Sequence, residues 1–184
     1  MPVLAGLVVL VGLLCALDLV LTVGVIKRLR EHSEQIARVG RGPASSITKG
    51  ERVHPFRTVT TEGQQLDQEQ LVDNTAVAFF TPDCKMCRET MPKFLEYARA
   101  LPGGRRQALA VVVGEEDETA AYAAQLAPVA QVVVEERGGP MSLAFAVIGF
   151  PALLQVARDS RGTLVATTDN LDLGHAGAAV SSAA

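Results

Sequence analysis

Ala76-Val77-Ala78-Phe79-Phe80-Thr81-Pro82-Asp83-Cys84-Lys85-Met86-Cys87 is the stretch on which the reading of this chain turns. Residues 76–80 form an uncharged apolar run too short for a helix, the pattern of a central strand covered on both faces. Thr81-Pro82-Asp83 interrupts the run, and a helical pattern then extends over residues 87–101 before Pro102-Gly103-Gly104 ends it. Two cysteines three apart, after a strand and at the opening of a helix, form the context of a redox dithiol. On one helical turn they share a face, a small adjustment away from disulfide geometry. Cys84 lies beside the unpaired N–H groups of the helix N-terminus, which favour a thiolate, so it is the candidate nucleophile. Cys87, one turn deeper, is the candidate resolving thiol, and Lys85 is expected to add to thiolate stabilisation.

Working outward, apolar strand patterns alternate with helical ones. Strands are expected over residues 57–61, 108–113, 129–135, 152–157 and 163–168, with helices over 117–126 and 141–148. Glu62-Gly63, Gly138-Gly139-Pro140 and Asp159-Ser160-Arg161-Gly162 punctuate them as turns. This order predicts an α/β fold, a central mixed sheet flanked by helices on both faces.

The chain has 184 residues, 48% of them hydrophobic, enough for one ordinary domain plus an appendage. A net charge of −3 lacks the basic face that nucleic-acid binding needs, so no nucleic-acid partner is expected. Besides Cys84 and Cys87 there is only Cys15. A tetrahedral zinc site would need two further ligands, and the chain offers no second C-x-x-C and only His32, His54 and His175. Neither a metal nor a cofactor is expected.

Residues 3–26 carry Asp18 as their only ionisable side chain. As a helix they would run about 36 Å at roughly 1.5 Å per residue, enough to cross a bilayer core of about 30 Å. A single transmembrane helix is therefore expected, with Cys15 an ordinary apolar residue in it and the lipid bilayer as a partner. Asp18 suits either a headgroup-proximal position or a contact with a partner helix. Residues 27–52 read as a juxtamembrane helix and linker, 53–168 as the folded domain and 169–184 as a flexible tail. The seven basic residues of the stem, Lys27, Arg28, Arg30, Arg38, Arg41, Lys49 and Arg52, argue for a cytoplasmic domain.

The Thr81-Pro82-Asp83-Cys84-Lys85-Met86-Cys87 run, Pro92 five residues beyond Cys87 and Gly149-Phe150-Pro151 before the penultimate strand together resemble the TlpA-like branch of the thioredoxin superfamily. That branch includes membrane-anchored accessory proteins of methylamine utilisation, and the match covers roughly residues 53–168. The resemblance implies a thioredoxin-like fold and a thiol:disulfide oxidoreductase, with protein thiols or disulfides as substrates and a membrane or soluble thiol as electron donor or acceptor. It also implies a domain outside the cytoplasmic membrane, against the charge of the stem. Pro151 would be a cis-proline facing the cysteines, and Phe150 would present its backbone to the substrate. Pro92 is expected to bend the active-site helix. The chain departs from the pattern at Asp83 in place of a common Trp, at Thr90 in place of a frequent Glu, and at Ala78 in place of thioredoxin's buried acid. Two other chemistries fit the same residues. Thr81-Pro82-Asp83-Cys84 satisfies the Thr-x-x-Cys core of peroxiredoxins, and two thiolates could hold Cu(I) in a copper-binding or redox-inactive docking module.

Overall fold

Residues 46–174, together with Gly12 alone, are described by the computed structural model of the chain. The expected membrane helix over 3–26, most of the 27–52 stem and the end of the 169–184 tail lie outside the described residues. Among the described residues, no helix is long and apolar enough to cross a membrane.

The strands are β1 (Arg57–Val59), β2 (Gln65–Asp67), β3 (Thr75–Phe80), β4 (Ala108–Val113), β5 (Gln131–Glu135), β6 (Ala152–Arg158) and β7 (Leu164–Thr168). The helices are α1 (Lys85–Ala100), α2 (Glu116–Leu126) and α3 (Pro140–Ala144), with a 3-10 turn at Gly104–Gln107. Five strands form one sheet in the order β5-β4-β3-β6-β7. The β3–β4 and β4–β5 pairs are parallel, and β6 and β7 are antiparallel additions. Parallel neighbours need a crossover, and α1 and α2 supply the two.

Every residue of β3 and β4 is buried, which explains their unbroken apolar character. Their alternation sorts two cores of different composition. Ala76, Ala78, Ala108 and Ala110 lie beneath α1 and α2, where Met91, Phe94, Tyr97 and Leu126 supply the bulk. Val77, Phe79, Leu109 and Val111 face the other way, towards Phe56, Leu66, Met141 and Phe145. Small side chains on the first face let the helix that carries the cysteines approach the sheet closely. The Phe80 and Phe94 rings then pin it there, edge to face at 5.7 Å.

The expected elements are present with shifted ends, and each shift has a cause. Helix α3 stops at Ala144, four residues before its expected end. Ala146 adopts a left-handed φ of 45°, and its N–H and that of Val147 donate back to Leu143 O and Ser142 O. That is a Schellman ending built on alanine, a residue that gives no stop signal. Strand β5 begins at Gln131 rather than 129 because the N–H groups of Val129 and Ala130 close the end of α2 on Leu126 O. Strand β2, unexpected from its polar sequence, pairs with β1 from Arg57↔Asp67 to Val59↔Gln65.

Packing extends beyond residues 53–168 at both ends. Ile47 is buried and donates to Phe145 O, while Gly50, Arg52 and Val53 pair along β7. Gly50 and Arg52, assigned to the linker by composition, and Val53, the first residue of the expected domain, thereby cover the outer edge of β7. Leu171, assigned to the tail, is buried in the α1–α2 core and donates to Leu153 O.

Candidate active site

β3 delivers the chain to the edge of the sheet, and Thr81-Pro82-Asp83 turns it into α1. The turn is closed by Cys84 N–H to Thr81 O at 3.2 Å, and the Arg88 guanidinium fastens it by donating to Pro82 O at 2.9 Å. Cys84 is the N-cap of α1, with extended backbone angles. Its Sγ accepts the Cys87 N–H at 3.2 Å, occupying one of the donors a helix N-terminus leaves free.

The two sulfurs differ in access. Cys84 is partly exposed, whereas Cys87 is fully enclosed between α1 and the alanine face of the sheet. Burial, reinforced by the Cys84 side chain, pushes the Cys87 thiol up to about 12. The first helical turn therefore presents one sulfur to solvent under an N–H donor and holds the other back as a neutral thiol.

From the far side, Phe150 and Pro151 enter β6, and the peptide bond between them is cis. Phe150 O accepts the Cys84 S–H at 3.5 Å. Cys84 and Phe150 thus meet from segments 66 positions apart, with Cys87 one helical turn beyond the first and Pro151 next in sequence to the second. The Lys85 ammonium lies 3.9 Å from Glu89, both side chains exposed. Asp83 is exposed at the surface.

Three features escaped the sequence. The clamp from Arg88 to Pro82 has a carbonyl as its target, which no residue type announces. Glu135 is buried at the end of β5 and accepts from Met141 N, Ser142 N and Ser142 Oγ at 2.8, 2.7 and 2.6 Å, capping α3. The acidic residue ahead of Gly138-Gly139-Pro140 was the available signal. On the α1–α2 side, Tyr97 and Tyr122 bury hydroxyls that have no hydrogen-bond partner among the described residues, and burial raises both above the ordinary tyrosine value. Tyr122 stands out as the one aromatic residue in an alanine-rich helix. Among the described residues, no group of three or more His, Cys, Asp or Glu side chains is placed to hold a metal ion.

A mixed sheet flanked by helices, with a C-x-x-C pair capping the first helix and a cis-proline opposite, is a thioredoxin-like fold. Solved structures agree. The thioredoxin domain of a thiol-disulfide oxidoreductase from Bacteroides vulgatus aligns at 19% identity and TM-score 0.50, over 66% of this chain and 88% of its own. A secreted disulfide oxidoreductase of Mycobacterium tuberculosis aligns at 17% identity and TM-score 0.51, over 65% and 90% respectively. A thiol:disulfide interchange protein from Bacteroides sp. aligns at 16% identity and TM-score 0.50, over 65% and 80%. At these identities the likeness is one of fold. No family model and no curated protein matches the chain.

Proposed function

We propose that the chain is a thiol:disulfide oxidoreductase acting on protein substrates through Cys84 and Cys87. The observation that carries this reading is the asymmetry of the pair: Cys84 Sγ is accessible and receives the Cys87 N–H, while Cys87 is enclosed. In the reducing direction, the Cys84 thiolate attacks a substrate disulfide, forming a mixed disulfide and releasing one substrate thiolate. Cys87 then gives up its proton to the released thiolate and attacks Cys84 Sγ, expelling the second substrate sulfur as a thiolate, which takes from solvent the proton that Cys84 lost on ionising. The dithiol becomes a disulfide as the substrate disulfide becomes two thiols, a transfer of two electrons and two protons that runs equally in reverse.

Phe150 and Pro151 border Cys84 and serve in this reading as the surface that meets the substrate chain. A membrane or soluble thiol partner resets the pair. The apolar run over residues 3–26 supports a single-pass membrane anchor, with the domain outside the cytoplasm as in the TlpA-like proteins it resembles.

The test is the reduction potential of the full-length chain in nonionic detergent, equilibrated in thiol–disulfide buffers, with the Cys84–Cys87 couple read by peptide mass. A value near about −270 mV marks a reductant and one near about −120 mV an oxidant. Absence of a reversible couple overturns the reading.

A further inference from the structure

We propose that the substrate segment taken by Cys84 is an extended stretch with Lys or Arg residues on one side of its cysteine and apolar residues on the other. The inference rests on Cys84 being the attacking thiol.

Its basis is the order of segments along one edge of the sheet. β3, β4 and β5 run parallel, so the loops that follow them gather at the same end, and antiparallel β6 begins there. In the order β5-β4-β3-β6, the rim therefore presents Glu136 and Arg137, then Gly114 to Glu118, then Thr81 to Cys84, then Ile148 to Pro151. Three strand spacings at ~4.8 Å give a rim of about 14 Å, the length of four or so extended residues. Cys84 lies inside that span, so a segment laid along the rim at Cys84 contacts both sides.

The two sides differ in chemistry. On the β4–β5 side, Thr81, Asp83, Gly114, Glu115, Glu118, Glu136 and Arg137 line a cleft of about 600 Å³. Four exposed carboxylates there face a single guanidinium, and none of the four is in an ion pair among the described residues. Glu115 and Glu118 suit the first turn of α2 through the helix dipole. Asp83 and Glu136 come from two other loops, so capping does not account for the concentration. Away from that cleft are two of the large exposed apolar residues of the domain, Ile148 on the β6 side at 80% exposure and Met86 on the first turn of α1, between the cysteines, at 53%. An isoleucine left that open two residues before Phe150 is what a docking rim requires. A carboxylate-lined cleft on one side of an accessible sulfur and an apolar rim on the other complement a basic-apolar segment and repel an acidic one.

The test uses the full-length dithiol protein in nonionic detergent and three disulfides. Two are peptides whose one cysteine is capped with neutral 2-mercaptoethanol, flanked by Leu and Ile on one side and by either Lys and Arg or Glu on the other. The third is the small neutral bis(2-hydroxyethyl) disulfide. Rates are divided by those with free 2-mercaptoethanol, which removes the intrinsic effect of peptide charge on the sulfur. The basic peptide is expected to react about tenfold faster than the acidic one at low salt, falling below about twofold in 0.5 M salt. The triple variant Glu115→Gln, Glu118→Gln, Glu136→Gln is expected to bring the ratio close to one. Exchange with the small disulfide but an equal or reversed peptide ratio overturns this inference and leaves the oxidoreductase reading intact. Failure to exchange with any of the three overturns both.

Discussion

The backbone N–H of Cys87 donates to Cys84 Sγ at 3.2 Å, so one hydrogen bond joins the accessible sulfur to the turn that encloses the other. In the proposed mechanism attack falls to Cys84 and resolution to Cys87. Cys84→Ser is expected to abolish disulfide exchange, and Cys87→Ser to accumulate mixed disulfides at Cys84. Peptide mass spectrometry of non-reduced protein after incubation with a disulfide-bearing protein separates the two. Full activity in both variants contradicts the division of labour.

Access makes a second asymmetry measurable without a substrate. At pH 7 iodoacetamide is expected to alkylate Cys84 at least about tenfold faster than Cys87, because one sulfur is partly exposed and the other is fully buried as a neutral thiol. In denaturant the two rates should become comparable. Equal rates in the folded protein would mean that Cys87 is not enclosed.

The Cys87 thiol, ordinarily near 9.0, is pushed up to about 12 by burial and then by the Cys84 side chain. Between those values an unfolded chain releases the Cys87 proton while the folded chain keeps it. The folded state then binds more protons, so its stability is fully present below about pH 9 and falls as pH rises towards about 12. Urea midpoints of the reduced protein at pH 7, 9 and 10 should drop more steeply than those of Cys87→Ala. Parallel slopes would place Cys87 in contact with water.

Glu135 holds the first turn of α3 through Met141 N, Ser142 N and Ser142 Oγ. Truncating a buried, charged acceptor strands three donors, so Glu135→Ala is expected to lower unfolding free energy by about 2–4 kcal/mol in urea titration. Glu135→Gln, which keeps one acceptor oxygen, should lose less. Gly139→Ala tests the same contact sterically, since a Cβ there would meet the Glu135 carboxylate at 2.6 Å. A loss below about 0.5 kcal/mol in Glu135→Ala would mean water replaces the carboxylate without cost.

Much of the architecture was legible because it is local. The buried runs of β3 and β4 cannot be amphipathic helices, and Pro102-Gly103-Gly104 cannot continue one. The stripe Cys87, Met91, Phe94 and Tyr97 has the spacing of one helical face. Legibility failed where a tertiary contact overrode the local signal. Ala146 ends α3 in a conformation its side chain does not favour, and Gln65 to Asp67 become a strand because β1 lies alongside. Residues 50–52 read as linker by composition but gain their order from the edge of β7.

The candidate site divides the same way. The sequence alone determined that Cys84 and Cys87 share the first turn of a helix after a buried strand, since three-residue spacing and a proline-marked junction leave the backbone little choice. Only the tertiary structure decided that Phe150 O would stand 3.5 Å from Cys84 Sγ and that Asp83, Glu115, Glu118 and Glu136 would line one cleft. Those relationships join segments far apart in the chain, and their geometry is set by which strand pairs with which, a choice made by burying two faces of one sheet at once.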